Sequence, residues 1–279
     1  MPSINLAMGT WDYLDTGGEG PVLLFLHGLL MTPSVWGDVV ADLRRDFRCV
    51  VPQLPYGGHR RPMTGALTPQ AVVDAIAEFI QRLGLTDVTL IENDSGRAQT
   101  LAAERAELVI RLVLTSCEAF DNYPPGLPGK LLQLAAQVPG GLWLMAQPLR
   151  WRALRNSPIA FGSMSVRGVP QTLSDEWLEP FFNRRAIRAD LLRYLKGARR
   201  TELEAAAEGL ERFDKPALVA WGARDAMMPI AHGRRLAALL PQGRFVEIPD
   251  SSTLVMIDNP EALITELRRF LTERISHAA

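Results

Sequence analysis

Apolar residues recur along this chain in short, nearly unbroken runs rather than in strict alternation. "PVLLFLHGLL" (21–30), "FRCVVPQL" (47–54), "DVTLIEN" (87–93), "RLVLTS" (111–116), "PALVAWGA" (216–223) and "RFVEIPD" (244–250) share this character. Runs this short, apolar on both faces and closed by polar residues or Gly, predict parallel strands buried between helix layers. Segments with a helical apolar period fall between them. Thr68-Pro69 supplies an N-cap and an N1 proline, Val72, Val73, Ile76, Ile80 and Leu83 form one face, and Gly84 ends the helix. Asn259-Pro260 opens a last helix in the same way, with Leu263, Ile264, Leu267 and Leu271 turned inward. Strand alternating with helix predicts an α/β fold, a mostly parallel central sheet with helices on both faces.

The rhythm stops after the fourth run. Residues 118–214 hold no strand-like run, only helical pieces punctuated by Pro and Gly, then two better helices, one ending at Gly197 and one opening at a capping box from Thr201 to Glu204. The chain therefore divides into a core, 1–117 with 215–279, and an inserted helical lid, 118–214. The lid is rich in aromatic residues. Most should pack it onto the core, and a minority, with Tyr123, Trp143 and Trp177 as candidates beside Trp36 of the core, should line a largely apolar pocket between the layers.

Composition narrows the function classes. Thirty basic side chains balance 31 acidic ones, so neither nucleic acid nor a membrane is an expected partner, and a small-molecule substrate on a monomer or homodimer is. The two cysteines, Cys49 and Cys117, sit inside apolar runs and read as buried small hydrophobes. With no leader-like N-terminus and no run of ~18 apolar residues, the expectation is a cytoplasmic protein. There is no metal-ligand spacing, no phosphate-binding glycine loop and no flavin or nicotinamide fingerprint, so a site without metal or cofactor is expected.

Loops leaving the carboxyl ends of parallel strands share one edge of a sheet, where ligands bind. His27, His59, Asp94, Glu118, Asp225 and the stretch Asp250 to Thr253 all fall at such ends. Together "LHG" (26–28), the strand-turn-helix "LIENDSGRAQ" (90–99), "WGARD" (221–225) and "IPDSSTLVMIDNPEAL" (248–263) resemble the α/β-hydrolase fold family over essentially the whole chain. The family's nucleophile elbow requires small residues two before and two after the attacking group. Centred on Ser95 the flanks are Asn93 and Arg97, whereas centred on Asp94 they are Glu92 and Gly96. Gly96 favours Asp94 as nucleophile, and the turn is similar to those of the Asp-nucleophile subgroup, the haloalkane dehalogenases and epoxide hydrolases. That resemblance implies an oxyanion hole from the backbone N–H groups of Leu29 and Ser95, and His27 near the bound substrate, shaping its loop. It also implies Asp225 as the acid partner, with Glu118 or Asp121 after the preceding strand as the alternative.

The same resemblance exposes differences. Dehalogenases of this fold carry a Trp after the nucleophile and an Asn after His-Gly, where this chain has Ser95 and Leu29; epoxide hydrolases show His-Gly-x-Pro, here His-Gly-Leu-Leu. The family's catalytic histidine falls at Thr253, and no histidine lies between His232 and His277. A threonine hydroxyl is far too weak a base near pH 7. His59 is the surrogate best placed by the sequence, against the plainer expectation of a solvated surface histidine. Three functions stay open: hydrolysis through an Asp94 ester, non-hydrolytic acid-base chemistry at Asp94 as in a lyase, isomerase or cyclase, and silent ligand binding.

Overall fold

The computed structural model describes residues 1–272. Its strands are β1 (Ser3–Leu6), β2 (Gly9–Asp15), β3 (Val22–Leu26), β4 (Arg48–Pro52), β5 (Val88–Asp94), β6 (Val109–Cys117), β7 (Ala217–Gly222) and β8 (Gly243–Ile248). They form one sheet in the order β1-β2-β4-β3-β5-β6-β7-β8. From β4 to β8 every pairing is parallel, while β1 and β2 add an antiparallel edge. The six apolar runs are the six parallel strands. The edge hairpin has no counterpart among them because it is only half buried: Trp11 and Tyr13 of β2 turn inward onto Phe79 while their neighbours stay partly exposed.

The helices are α1 (Gly37–Leu43), α2 (Pro69–Arg82), α3 (Arg97–Glu104), α4 (Gly126–Gln137), α5 (Gly141–Ala146), α6 (Arg152–Arg155), α7 (Gln171–Asn183), α8 (Arg185–Gly197), α9 (Arg200–Leu210), α10 (Ile230–Leu239), α11 (Val255–Asp258) and α12 (Pro260–Thr272). Helices α4 to α9 all fall between β6 and β7, and no strand interrupts them. The Thr68 hydroxyl caps α2 by accepting from Ala71 N at 3.2 Å, and the Asn259 amide oxygen accepts from Ala262 N at 3.2 Å at the head of α12. The capping box expected at Thr201 does not form. Helix α9 begins two residues earlier than that box would place it, Arg199 is its extended N-cap, and no side chain caps it. Cys49 and Cys117 are buried free thiols, and no helix among the described residues is long and apolar enough to cross a membrane.

Candidate active site

Strand β5 is buried along its whole length and ends at Asp94, whose φ of 76° turns the chain sharply toward α3. A left-handed conformation at a non-glycine residue is strained, and such strain persists only where the surroundings fix it. Here four features do so. Gly96, with φ 70°, completes the turn, and a Cβ there would lie 2.9 Å from the Glu118 carbonyl oxygen. Gly28 faces Asp94 so closely that a Cβ would stand 2.0 Å from Oδ2. Leu29 N then donates to Asp94 Oδ2 at 3.1 Å and fixes the carboxylate.

Glu92 is the fourth. At the position where the elbow pattern wants a small residue, its fully buried carboxylate accepts from Ser95 Oγ at 2.8 Å, Arg97 N at 2.6 Å and Ala98 N at 2.7 Å. It thus satisfies the first free N–H groups of α3, the office of an N-cap, from inside the preceding strand. Burial raises its pKa to about 7 against the opposing pull of these donors. Arg97, too large for a flank, is buried with Nε donating to the Ser95 carbonyl at 2.9 Å and Nη1 pairing with Glu202 of α9 at 3.3 Å. We expect Glu92→Ala to lower unfolding free energy by about 2–4 kcal/mol, because it strands two helix N–H groups and opens a cavity. Urea denaturation would measure it; a loss below about 1 kcal/mol would refute the anchoring role.

The serine hydroxyl is thereby turned to Glu92, and Ser95 N bonds the Asn93 carbonyl at 3.1 Å. Asp94 and Glu118 instead face a cavity of about 280 Å³. Leu29 and Leu30 line it from the core, with Tyr123, Leu132, Leu149, Phe161, Met164 and Leu195 from the inserted segment. Burial raises the Asp94 pKa to about 6, the Leu29 hydrogen bond lowers it and the Asp225 carboxylate raises it further. Glu118 is pushed well above the ordinary carboxyl range by burial and then by the charge of Asp94. Both carboxyls that face the cavity are therefore biased toward their protonated forms, each by burial first.

Thr253 stands in the loop after β8. Its hydroxyl donates to Asp225 Oδ1 at 3.0 Å, and its carbonyl accepts from Asn93 Nδ2 at 2.8 Å, so the loop is tied to the elbow. Asp225 Oδ1 also accepts from Met227 N and Met228 N, while buried Oδ2 takes no hydrogen bond among the described residues. Burial raises the Asp225 pKa to about 6.

The structure brings no described histidine to the cavity. His59 is not on the surface: it is 2% exposed, its Nε2 is 3.0 Å from Asp190 Oδ2 and its Nδ1 accepts from Gly57 N at 3.2 Å. The partner that fixes it lies 131 residues away in α8, beyond the reach of local pattern. His27 is fully buried, hydrogen-bonds the Gly28 carbonyl through Nδ1 and accepts from Leu54 N through Nε2, and burial lowers its pKa to about 4. It is a neutral brace for the His-Gly loop. His232 packs edge-on to Phe120 with Asp121 3.9 Å away, and His277 lies outside the described residues.

The tryptophans are also placed elsewhere than expected. Trp36 donates to the Leu26 carbonyl inside the core, Trp177 donates to Ser34 Oγ and packs on Phe161, and Trp143 sits under the guanidinium groups of Arg150 and Arg188. None lines the cavity, and neither does Thr253; of the expected substrate contacts only Tyr123 does, its hydroxyl buried without a partner among the described residues. Glu92 and Arg97 are the site residues the elbow rule undervalued. Their signal was there in "ENDSGR", since a charged pair can replace small flanks only by bonding across the turn.

The sequence model of the alpha/beta hydrolase family matches residues 23–266. The chain belongs to that family. Fold and family together make it an enzyme of the hydrolase superfamily. Among its curated relatives, cis-3-alkyl-4-alkyloxetan-2-one decarboxylase of Xanthomonas campestris is 27% identical over 93% of this chain and 91% of the relative. Haloalkane dehalogenase 2 of Mycobacterium bovis is 26% identical over 91% and 89%. In structure, a thermophilic esterase from Thermogutta terrifontis matches with a TM-score of 0.73 at 22% identity over 97% and 98% of the chains. That likeness shows the shared fold.

Proposed function

We infer that this enzyme bonds Asp94 to an electrophilic carbon of a small apolar substrate and discharges that bond without water. The observation that carries this reading is Thr253: the position facing Asp225 holds a hydroxyl already donating to it, and no described histidine lines the cavity. Water beside an alkyl ester of Asp94 would lack a base to activate it. An ester so protected returns to free enzyme only if the alkyl group leaves by another route.

A strained four-membered lactone supplies one, and the similarity to an oxetan-2-one decarboxylase supports that substrate class. Asp94 attacks the ring carbon that bears the ring oxygen, breaking that carbon–oxygen bond and freeing a carboxylate on the neighbouring carbon. The bond to this carboxylate then breaks and releases carbon dioxide; its electron pair becomes the alkene as the carbon–oxygen bond to Asp94 breaks and restores the Asp94 carboxylate. Atoms balance with no water consumed. Glu118, which burial biases toward its protonated form, donates a hydrogen bond to the carboxylate formed in the first step, and the apolar walls favour its loss as an uncharged gas. A cis-3,4-dialkyl-2-oxetanone turned over in oxygen-18 water should give alkene and carbon dioxide, with no β-hydroxy acid. A β-hydroxy acid carrying the label would overturn the proposal.

A further inference from the structure

Eleven large hydrophobic side chains are exposed among the described residues, and apart from Met1 all lie between Leu127 and Val166. Three of them, Leu127, Leu131 and Leu134, recur at helical spacing along α4 and form one apolar stripe, and Val138 follows directly after the helix end. An amphipathic helix normally turns such a stripe to the core, yet only Ala136 of α4 is fully buried. Leu144 of α5 and Trp151, 73% and 67% exposed, extend the patch.

Charge is equally uneven there. Residues 122–174 contain no Asp or Glu but carry Lys130, Arg150, Arg152, Arg155 and Arg167. All except Arg155 are exposed, and Arg152 pairs with Asp175 just beyond the stretch. The overall balance of charge hides this segregation, because the rest of the chain then holds the excess of acid. Leu131, Met145, Leu154 and Ile159 are both exposed and cavity-lining, so the patch surrounds an opening of the Asp94 cavity.

We propose that the α4–α6 face docks on an anionic lipid bilayer and takes its apolar substrate from that bilayer into the cavity. An exposed apolar stripe flanked by cations and free of acid is the pattern that inserts at the headgroup boundary. Each unopposed cation adds attraction to anionic headgroups, and the acidic remainder of the surface orients this face inward. A second copy of the chain is a poorer occupant. A symmetric contact would set these cations against their own copies with no acid in the stretch to pair them. The inference is independent of the reaction at Asp94.

Flotation of the full-length protein with vesicles tests it. Binding is expected to vesicles of phosphatidylglycerol mixed with phosphatidylcholine, weaker binding to phosphatidylcholine alone, and loss of the difference in high salt. Trp151 fluorescence should shift to the blue on binding. Leu134→Glu with Leu144→Glu, two side chains outside the cavity lining, should weaken partition about tenfold or more while the thermal melt is unchanged. Failure to float with either vesicle, or flotation indifferent to both substitutions, overturns the proposal. A dimer in light scattering that the double variant dissolves, with no vesicle binding, also overturns it and assigns the face to a second copy.

Discussion

Asp94→Asn is expected to silence the enzyme and stabilise it at once. Loss of the proposed nucleophile should lower turnover by about a thousandfold or more, since an amide neither attacks carbon at a useful rate nor carries the charge of the carboxylate. Stability moves the other way. A carboxyl whose pKa rises on folding binds its proton more tightly in the folded state, so its contribution is favourable below the unfolded value near 4. That contribution is lost as pH climbs through the folded value of about 6. Above pH 6 the buried carboxylate costs about 1–3 kcal/mol, and Asn escapes it while still accepting from Leu29 N and tolerating the left-handed backbone. The melting temperature of the variant should exceed the wild type by several degrees at pH 7.5, and the gap should close toward pH 4. Asp225 and Glu92 titrate in both proteins, so the difference between the two curves reports Asp94 together with its coupling to Asp225 and Glu118. A variant less stable than wild type at pH 7.5 would show that burial does not dominate at this carboxyl.

How far the sequence leads depends on whether a residue's partner is near it in the chain. The six parallel strands were legible because burial on both faces removes polar positions from the run, as in "VLLFL". The β1–β2 hairpin was not, because a half-exposed edge buries only scattered positions, Leu6, Trp11 and Tyr13, rather than an unbroken apolar run. Asp94 at the tip of the turn was legible from Gly96 two residues on, a local steric demand. His59 was not, since nothing local distinguishes a histidine in solvent from one bonded to Asp190. Core burial and pocket lining draw on the same residue types, which is why Trp36, Trp143 and Trp177 could be recognised as apolar anchors but not assigned to the cavity. The stripe on α4 makes the same point from the other side: periodicity names a face without saying what that face meets.

Thr253→His is the substitution with the largest expected gain. Wild-type protein given an alkyl iodide, whose leaving group needs little help from the protein, should release iodide once per active site and stop, with the alkyl group retained on Asp94 in the intact mass. The stop follows from the proposed lack of a base, because no described histidine lines the cavity and Thr253 only donates to Asp225. An imidazole grown from position 253 starts within hydrogen-bond distance of Asp225 Oδ1 and beside an Oδ2 that takes no hydrogen bond. Its Nδ1–H can therefore be held by Asp225, leaving Nε2 as the free base for water. General-base catalysis is worth about 10²–10⁴ in rate, enough to turn one turnover into many. Thr253 is fully buried, so the larger ring strains the loop by about 1–3 kcal/mol, and a thermal melt must first show the variant folded. Its rate should rise with pH as the imidazole loses its proton, and Thr253→Val, equally folded, should remain a single-turnover protein. Continuous iodide release by the wild type would mean that another group already activates water at Asp94. A folded Thr253→His protein that still stops after one turnover would mean that the ester is guarded by exclusion of water from the apolar cavity rather than by the lost base.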